Sequence, residues 1–210
     1  MTAFPLPSAD TPGLRVLSTD PVVYTLDAFA TAAECAAIRH EAEAHLEPPR
    51  VSRMTLDHDP EVRTGRLAWL AWGTAPVSTA FGERVARLVG RSLDTAESLQ
   101  VVRYQPGERY LAHYDAYDLT TAEGRHCARL HGQREITAII YLGEPDAGGA
   151  TSFPRLKLAV EPRIGRLLVF QDLGEDPRLP HDDALHAGTP VQSGIKWIAS
   201  QWFCRRVDAS

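Results

Sequence analysis

Two separated patterns in this chain carry side chains that could share one metal ion. His113-Tyr-Asp115 follows an apolar, β-prone segment. In an extended strand, residues two apart point to the same side, so one strand can present an imidazole and a carboxylate together. A second histidine arriving from elsewhere would complete two His and one carboxylate on one face of a metal. Such a set leaves coordination positions open and suits non-heme Fe(II) used to activate oxygen. The triplet alone is weak, because a strand histidine is more often a hydrogen-bonded structural residue than a ligand. His181-Asp-Asp183 repeats the spacing.

The segment from Asp183 to Trp202 chooses between them. Two β-like runs, one containing His186 and one containing Lys196, flank a stretch with Gly188, Pro190 and Gly194, which reads as an antiparallel hairpin. Pairing across it would set Lys196 near the level of His186. Lys196, Ile198, Ser200 and Trp202 share parity and hence one strand face. An inward lysine among Ile195, Trp197 and Ile198 needs an anionic partner, since burying an unpaired ammonium is costly or drives it neutral. A dicarboxylic cosubstrate would meet that need, one end chelating the iron and the far carboxylate pairing with Lys196. The commoner fate of a lysine is to snorkel to solvent.

The scaffold is read from periodicity. The Pro-containing opening, residues 1–20, reads as a loose arm, with a single domain over 21–210 and a short strand from Val22 to Tyr24. Thr31-Ala-Ala-Glu34 has capping-box spacing. Cys35, Ile38, Ala42 and Leu46 follow on one helical face until Pro48-Pro49. Val77, Phe81, Val85, Leu88 and Val89 predict a second helix over roughly Pro76 to Val89, capped by Gly90. Val51 to Gly73 shows no clear period and reads as loops and short strands. Beyond Glu97 come β-rich runs at Leu99–Tyr104, Ile136–Leu142, Ile164–Phe170 and Ile195–Phe203, with no helix expected after Tyr104. Helices first and short strands after predict an α+β fold, a sandwich or jelly roll buttressed by N-terminal helices.

Composition narrows the function classes. A chain of 210 residues that is 44% apolar can bury roughly 70% of its unfolded surface, enough to enclose a site. With 22 Lys and Arg scattered against 27 Asp and Glu, net charge −5, a nucleic-acid partner is not expected. No apolar run approaches a membrane span, and the start lacks a signal-peptide pattern, so no membrane partner and a cytoplasmic location are expected. The 3 cysteines, Cys35, Cys127 and Cys204, are far apart and indicate neither a disulfide framework nor a zinc site.

Three ordered blocks carry a resemblance: Leu99 to Asp115, Gly148-Gly-Ala-Thr151-Ser-Phe-Pro154, and His186 to Trp202. From about Pro21 to Phe203 the chain resembles the catalytic domain of the prolyl 4-hydroxylase family, within the 2-oxoglutarate- and iron(II)-dependent dioxygenases. The resemblance implies a double-stranded β-helix (jelly-roll) core. It implies Fe(II), 2-oxoglutarate and O2, with ascorbate as a candidate reductant. His113, Asp115 and His186 would be the iron ligands, and Lys196 would bind the distal carboxylate with help from Thr151 and Tyr110. Tyr104 and Trp202 would form further pocket walls. Strand parity opposes Tyr110 to His113, so both can face the site only across a bend or bulge. Arg63, Glu97, Gln100 and Arg134 match substrate-side positions in peptide-hydroxylating relatives, where the alternative is solvated charges or loop hydrogen bonds.

The sequence departs from its relatives at Arg63-Thr-Gly65, where Arg-Thr-Ser is commoner, and at Ala150, where an acidic residue is frequent. The secretory signal and extra peptide-binding domain of animal collagen hydroxylases are missing, so collagen is not the expected substrate. The carboxylate of Asp115 favours hydroxylation over halogenation, which in relatives goes with a small residue there. A prolyl residue in a peptide or protein is the expected substrate, with a free amino acid or natural-product intermediate as the alternative. A non-catalytic jelly-roll binding module and a cupin-like metalloenzyme are the rivals of other classes. His126 and His131, in the 118–132 loop, read as surface residues of a candidate lid. Oligomeric state is left open.

Overall fold

The computed structural model describes residues 4–48 and 63–207. A seven-stranded antiparallel sheet dominates it. Its strands are β1 (Leu14–Thr19), β2 (Val22–Leu26), β3 (Arg66–Leu70), β4 (Leu99–Tyr104), β6 (Gln133–Gly143), β10 (Leu167–Gln171) and β13 (Lys196–Arg205), in the order β1-β2-β10-β6-β13-β4-β3. A four-stranded sheet faces it, ordered β5-β11-β8-β9, from β5 (Tyr110–His113), β8 (Thr151–Phe153), β9 (Leu158–Val160) and β11 (His186–Gly188). A two-stranded ribbon, β7 (Ala147–Gly148) with β12 (Val191–Ser193), closes one end.

Period-2 alternation along the central strands splits the molecule into two cores. On β6, Ile136, Ala138, Ile140 and Leu142 pack with Leu167 and Val169 of β10 and Ala199 of β13. Against this face lie α1 (Ala32–Glu43), through Cys35, Ile38 and Ala42, and α2 (Pro76–Leu88), through Phe81, Val85 and Ala86. The residues between, Ile139 and Tyr141 of β6, Leu168 and Phe170 of β10, and Ile198 of β13, form a second core with Phe153 and Val160 of the small sheet. Both faces of the large sheet are covered, which is why its strands are apolar almost throughout despite being antiparallel. The second face is the one that holds the site.

The local rules act as the sequence suggests in both N-terminal helices. Thr31 Oγ1 accepts from the Glu34 amide at 3.1 Å while Glu34 Oε2 accepts from the Thr31 amide at 2.9 Å, a complete capping box. The first helix nevertheless ends at Glu43, well short of Pro48. Three expectations need correction. Residues 14–19 are not a loose arm but strand β1, antiparallel to β2, because Val22 to Leu26 offers an edge with which they can pair. A third helix, α3 (Ala122–His131), does follow Tyr104; it buries only the small Gly124 and Ala128, so it leaves no apolar stripe to read. Finally, β11 and β13 form no hairpin: β11 pairs with β5 and β8, while β13 lies between β4 and β6 in the other sheet. Of the irregular stretch Val51 to Gly73, β3 is a strand as expected, and residues 51–62 lie outside those described. Among the described residues no helix is long and apolar enough to cross a membrane.

Candidate active site

β5 ends on His113 and β11 begins on His186; the two are register partners, their ring centroids 4.3 Å apart. Asp115 sits just past the end of β5, in a bend, and still turns its carboxylate to the histidines. Its Oδ1 is 3.7 Å from His113 Nε2 and its Oδ2 is 3.6 Å from His186 Nε2. One ligand atom from each residue lies within 4.8 Å of the others, the sole such cluster among the described residues. Each histidine fixes its ring through the other nitrogen: His113 Nδ1 donates to the Leu111 carbonyl at 2.8 Å, and His186 Nδ1 to the Ala184 carbonyl at 3.0 Å. A carbonyl can only accept, so Nδ1 carries a proton and Nε2 is the atom turned towards the carboxylate, the orientation a metal ligand requires. The competing triplet is elsewhere: His181 Nδ1 accepts from the Asp183 amide, and its Nε2 lies 3.1 Å from Asp20 Oδ1.

Asp115 is buried, at 7% exposure. Burial, the strongest influence, acts to raise its pKa, but His186, His113, Arg134 and the Trp202 indole together hold the carboxyl well below the ordinary range. An ionised carboxylate facing the Nε2 atoms of two imidazoles is the donor set of a facial two-histidine, one-carboxylate metal site.

Lys196 reaches the same interior from the opposite sheet. It is the register partner of Tyr104 on β4 and is 2% exposed. Its Nζ lies 5.5 Å from the Tyr104 ring centre and 5.8 Å from that of Tyr141. Among the described residues no carboxylate comes within ion-pair distance; Glu161 acts on it only from afar, and burial pulls the ammonium down to about 8. A buried cation facing aromatic rings with no anion beside it fits the far carboxylate of a dicarboxylic acid whose other end sits on the metal. Thr151, on the facing sheet, accepts from Tyr141 Oη at 2.8 Å at this end of the cavity. Gly149 permits the close packing: its φ is +74°, and a Cβ there would lie 3.1 Å from Lys196 Cδ.

The bulge that Tyr110 needs is present. His186 pairs with His113 and Gly188 with Tyr110, two steps on one strand against three on the other, and the Tyr110 ring stacks on His113 at 3.6 Å between centroids. Arg63 bridges to the backbone of Tyr110, sets its guanidinium 4.6 Å from that ring centre, and donates to Gln100 Oε1 at 2.5 Å. Arg134 makes a bidentate pair with Glu97, at 2.6 and 3.0 Å, over the Trp202 ring at 4.1 Å from its centre. These are buried groups, not solvated charges. Gly65, next in the chain after Arg63-Thr64, has φ +100°, and a Cβ would sit 2.8 Å from the Arg103 carbonyl, so this backbone path excludes serine.

The twelve expected residues thus surround two adjoining spaces. An inner one of about 30 Å³ runs from the His-Asp-His cluster to Lys196, and an outer one of about 330 Å³ opens over Glu97, Arg134, Trp202, Tyr117 and Trp69. Residues 99–204 match the family model of the 2OG-Fe(II) oxygenase superfamily. A protein of Acanthamoeba polyphaga mimivirus named for prolyl 4-hydroxylase activity is 33% identical over 183 residues, covering 87% of this chain and 74% of the relative. The prolyl 4-hydroxylase subunit alpha-1 of Gallus gallus is 32% identical over 174 residues, covering 79% of this chain and 33% of that longer subunit. The viral collagen prolyl hydroxylase of Paramecium bursaria Chlorella virus-1, solved as its 2-oxoglutarate complex, superposes with a TM-score of 0.68 at 28% identity, covering 88% of this chain and 96% of that one.

The chain belongs to the 2-oxoglutarate- and Fe(II)-dependent oxygenases, of prolyl 4-hydroxylase type. Fe(II), 2-oxoglutarate and O2 are the cofactor and cosubstrates of this oxygenase. Several of its inward residues escaped the sequence reading. Thr137 and Tyr141 share a face of β6 with Ile139, but parity does not say which face is inward. Trp69 stands on edge strand β3, 5.9 Å from Trp202 between ring centres and 46% exposed, at the mouth. His126 and His131 are exposed, and His131, at the end of α3, borders the mouth.

Proposed function

We propose that this oxygenase hydroxylates a prolyl residue within a peptide or protein, coupled to conversion of 2-oxoglutarate to succinate and CO2. In this reading His113, Asp115 and His186 hold the iron and Lys196 pairs with the distal carboxylate, Tyr104, Tyr110 and Thr151 shaping the space around it. The bound iron supplies oxygen activation; the chain supplies the rest. The Asp115 carboxylate would serve as a ligand to that iron, which favours hydroxylation over halogenation. Trp202 and Tyr110 wall the reacting space.

The observation that carries the substrate class is the pairing of charges in the outer cavity. Glu97 and Arg134 are buried and already bound to each other in bidentate fashion. A free amino acid would bring an ammonium and a carboxylate, and the ammonium would need a new counter-charge, since Glu97 is bound to Arg134 and Asp115 is assigned to the metal. A prolyl ring within a chain brings neither, and its apolar face matches Trp202, Trp69 and Tyr117. Similarity to proteins named as prolyl 4-hydroxylases supports the same choice. Succinate release, measured across proline-containing peptides and free amino acids, tests it. Peptides should stimulate turnover at least tenfold more than free proline, since an unpaired buried charge costs more than about 1.4 kcal/mol. Stimulation by free amino acids alone would refute it.

A further inference from the structure

Behind the iron-binding cluster lies a buried carboxyl group with no place in the reaction described above. Asp172, one residue beyond the end of β10, is 1% exposed, and Thr137 on β6 is fully buried. Thr137 Oγ1 lies 2.8 Å from Asp172 Oδ2 and 2.9 Å from Asp115 Oδ2. A threonine hydroxyl has one proton, and an ionised carboxylate only accepts. The single proton can therefore serve one of the two acids. The other contact is a hydrogen bond only where that acid brings its own proton.

Surroundings decide which acid does. Asp115 has His113, His186 and Arg134 about it. Asp172 has no ion-pair partner among the described residues; of its charged neighbours Asp115 acts most strongly, Arg134 opposes it less strongly, and Glu135 adds to it more weakly still. Glu135 is itself engaged by Arg91 at 2.9 Å. Burial and the nearby Asp115 charge push the Asp172 carboxyl well above the ordinary range, in agreement with the proton count. Its backbone is fixed on both sides, the amide donating to the Glu135 carbonyl and the carbonyl accepting from the His181 amide.

We propose that Asp172 is a positioning residue held as the neutral acid: its O–H donates to Thr137 Oγ1, whose own proton is thereby directed to Asp115 Oδ2. The relay spans both sheets and fixes the rotation of the Asp115 carboxylate before metal arrives. It rests on Asp115 being an iron ligand. Outer hydrogen bonds of this kind typically govern metal affinity by 10- to 100-fold.

The test reads the proton directly in metal-free protein, by infrared spectroscopy, and iron affinity separately, by competition with a chelator. The parent should show a carboxylic-acid C=O band that disappears in Asp172→Asn and persists in Asp115→Asn. Fe(II) affinity should stay within about threefold in Asp172→Asn, whose amide N–H can replace the O–H, and fall roughly 10- to 100-fold in Thr137→Val. Absence of the band from the parent, or its persistence in Asp172→Asn, overturns the relay while leaving the iron site standing. So does Thr137→Val binding iron as tightly as the parent. A parent that keeps the band yet binds no Fe(II) overturns the metal reading and this role with it.

Discussion

Replacing Lys196 by methionine should stabilise the metal-free protein and abolish its response to 2-oxoglutarate, two effects of opposite sign from one side chain. The ammonium is 2% exposed and its pKa falls from 10.5 to about 8. A shift of that size corresponds to roughly 3 kcal/mol of unfavourable burial at neutral pH, which methionine, similar in length and uncharged, removes. For a chain of this size about 1 kcal/mol moves Tm by roughly 2–4 °C, so the apoprotein should melt several degrees higher. The cosubstrate loses a charge-assisted pair worth about 1.5–3 kcal/mol, or roughly 10- to 150-fold in Kd. At a concentration of about 100 times the parent Kd, 2-oxoglutarate stabilises the parent by about 2.7 kcal/mol, and a 100-fold weaker variant by only about 0.4 kcal/mol. Thermal melts with Mn(II), with and without 2-oxoglutarate, read both quantities. A variant that melts lower than the parent without ligand, or that keeps the parent's ligand-induced shift, would refute the assignment of Lys196 as an unpaired buried cation awaiting an anion.

Three further outcomes follow from the same geometry. Because Lys196 in the free protein deprotonates near pH 8, 2-oxoglutarate affinity should be greatest below that pH and fall above it by up to tenfold per unit, measured by isothermal titration; the unfolded chain holds the proton up to 10.5, so apoprotein stability should rise with pH between about 8 and 10.5, and Lys196→Met should lack both trends. Gly149→Ala should cost about 1–2 kcal/mol for a side chain at φ +74° and raise KM for 2-oxoglutarate by pressing on Lys196, visible in melts and initial rates. Glu97→Gln should destabilise the fold by about 3–5 kcal/mol in urea titration, because Arg134 is left as a buried charge over Trp202.

What could be read from residues alone was whatever short-range rules govern. Thr31 and Glu34 announce a helix start, and Val77 to Val89 a helical face. The alternation from Lys196 to Trp202 correctly grouped four inward side chains, since a strand has only two faces. Pairing partners were another matter. Gly188 and Pro190 look like a hairpin turn, yet each flanking strand finds a better neighbour in a different sheet, so His186 and Lys196 meet across the interior and not along a ladder. Helix α3 was invisible because it packs through Gly124 and Ala128. Asp172 gives no local signal: its partner Thr137 is 35 residues away in the chain. At Tyr110 strand parity demands a bulge for the ring to join His113, and the bulge is there.

Anaerobic titration of the metal-free protein with Fe(II) and 2-oxoglutarate tests the central claim most directly. The parent should develop the visible charge-transfer absorption of the iron–2-oxoglutarate chelate at one equivalent of each. His186→Ala and Asp115→Ala should fail to develop it and should release no succinate in air. A parent that shows no such band, or an Asp115→Ala or His186→Ala variant that shows it at the parent's intensity, would contradict the account.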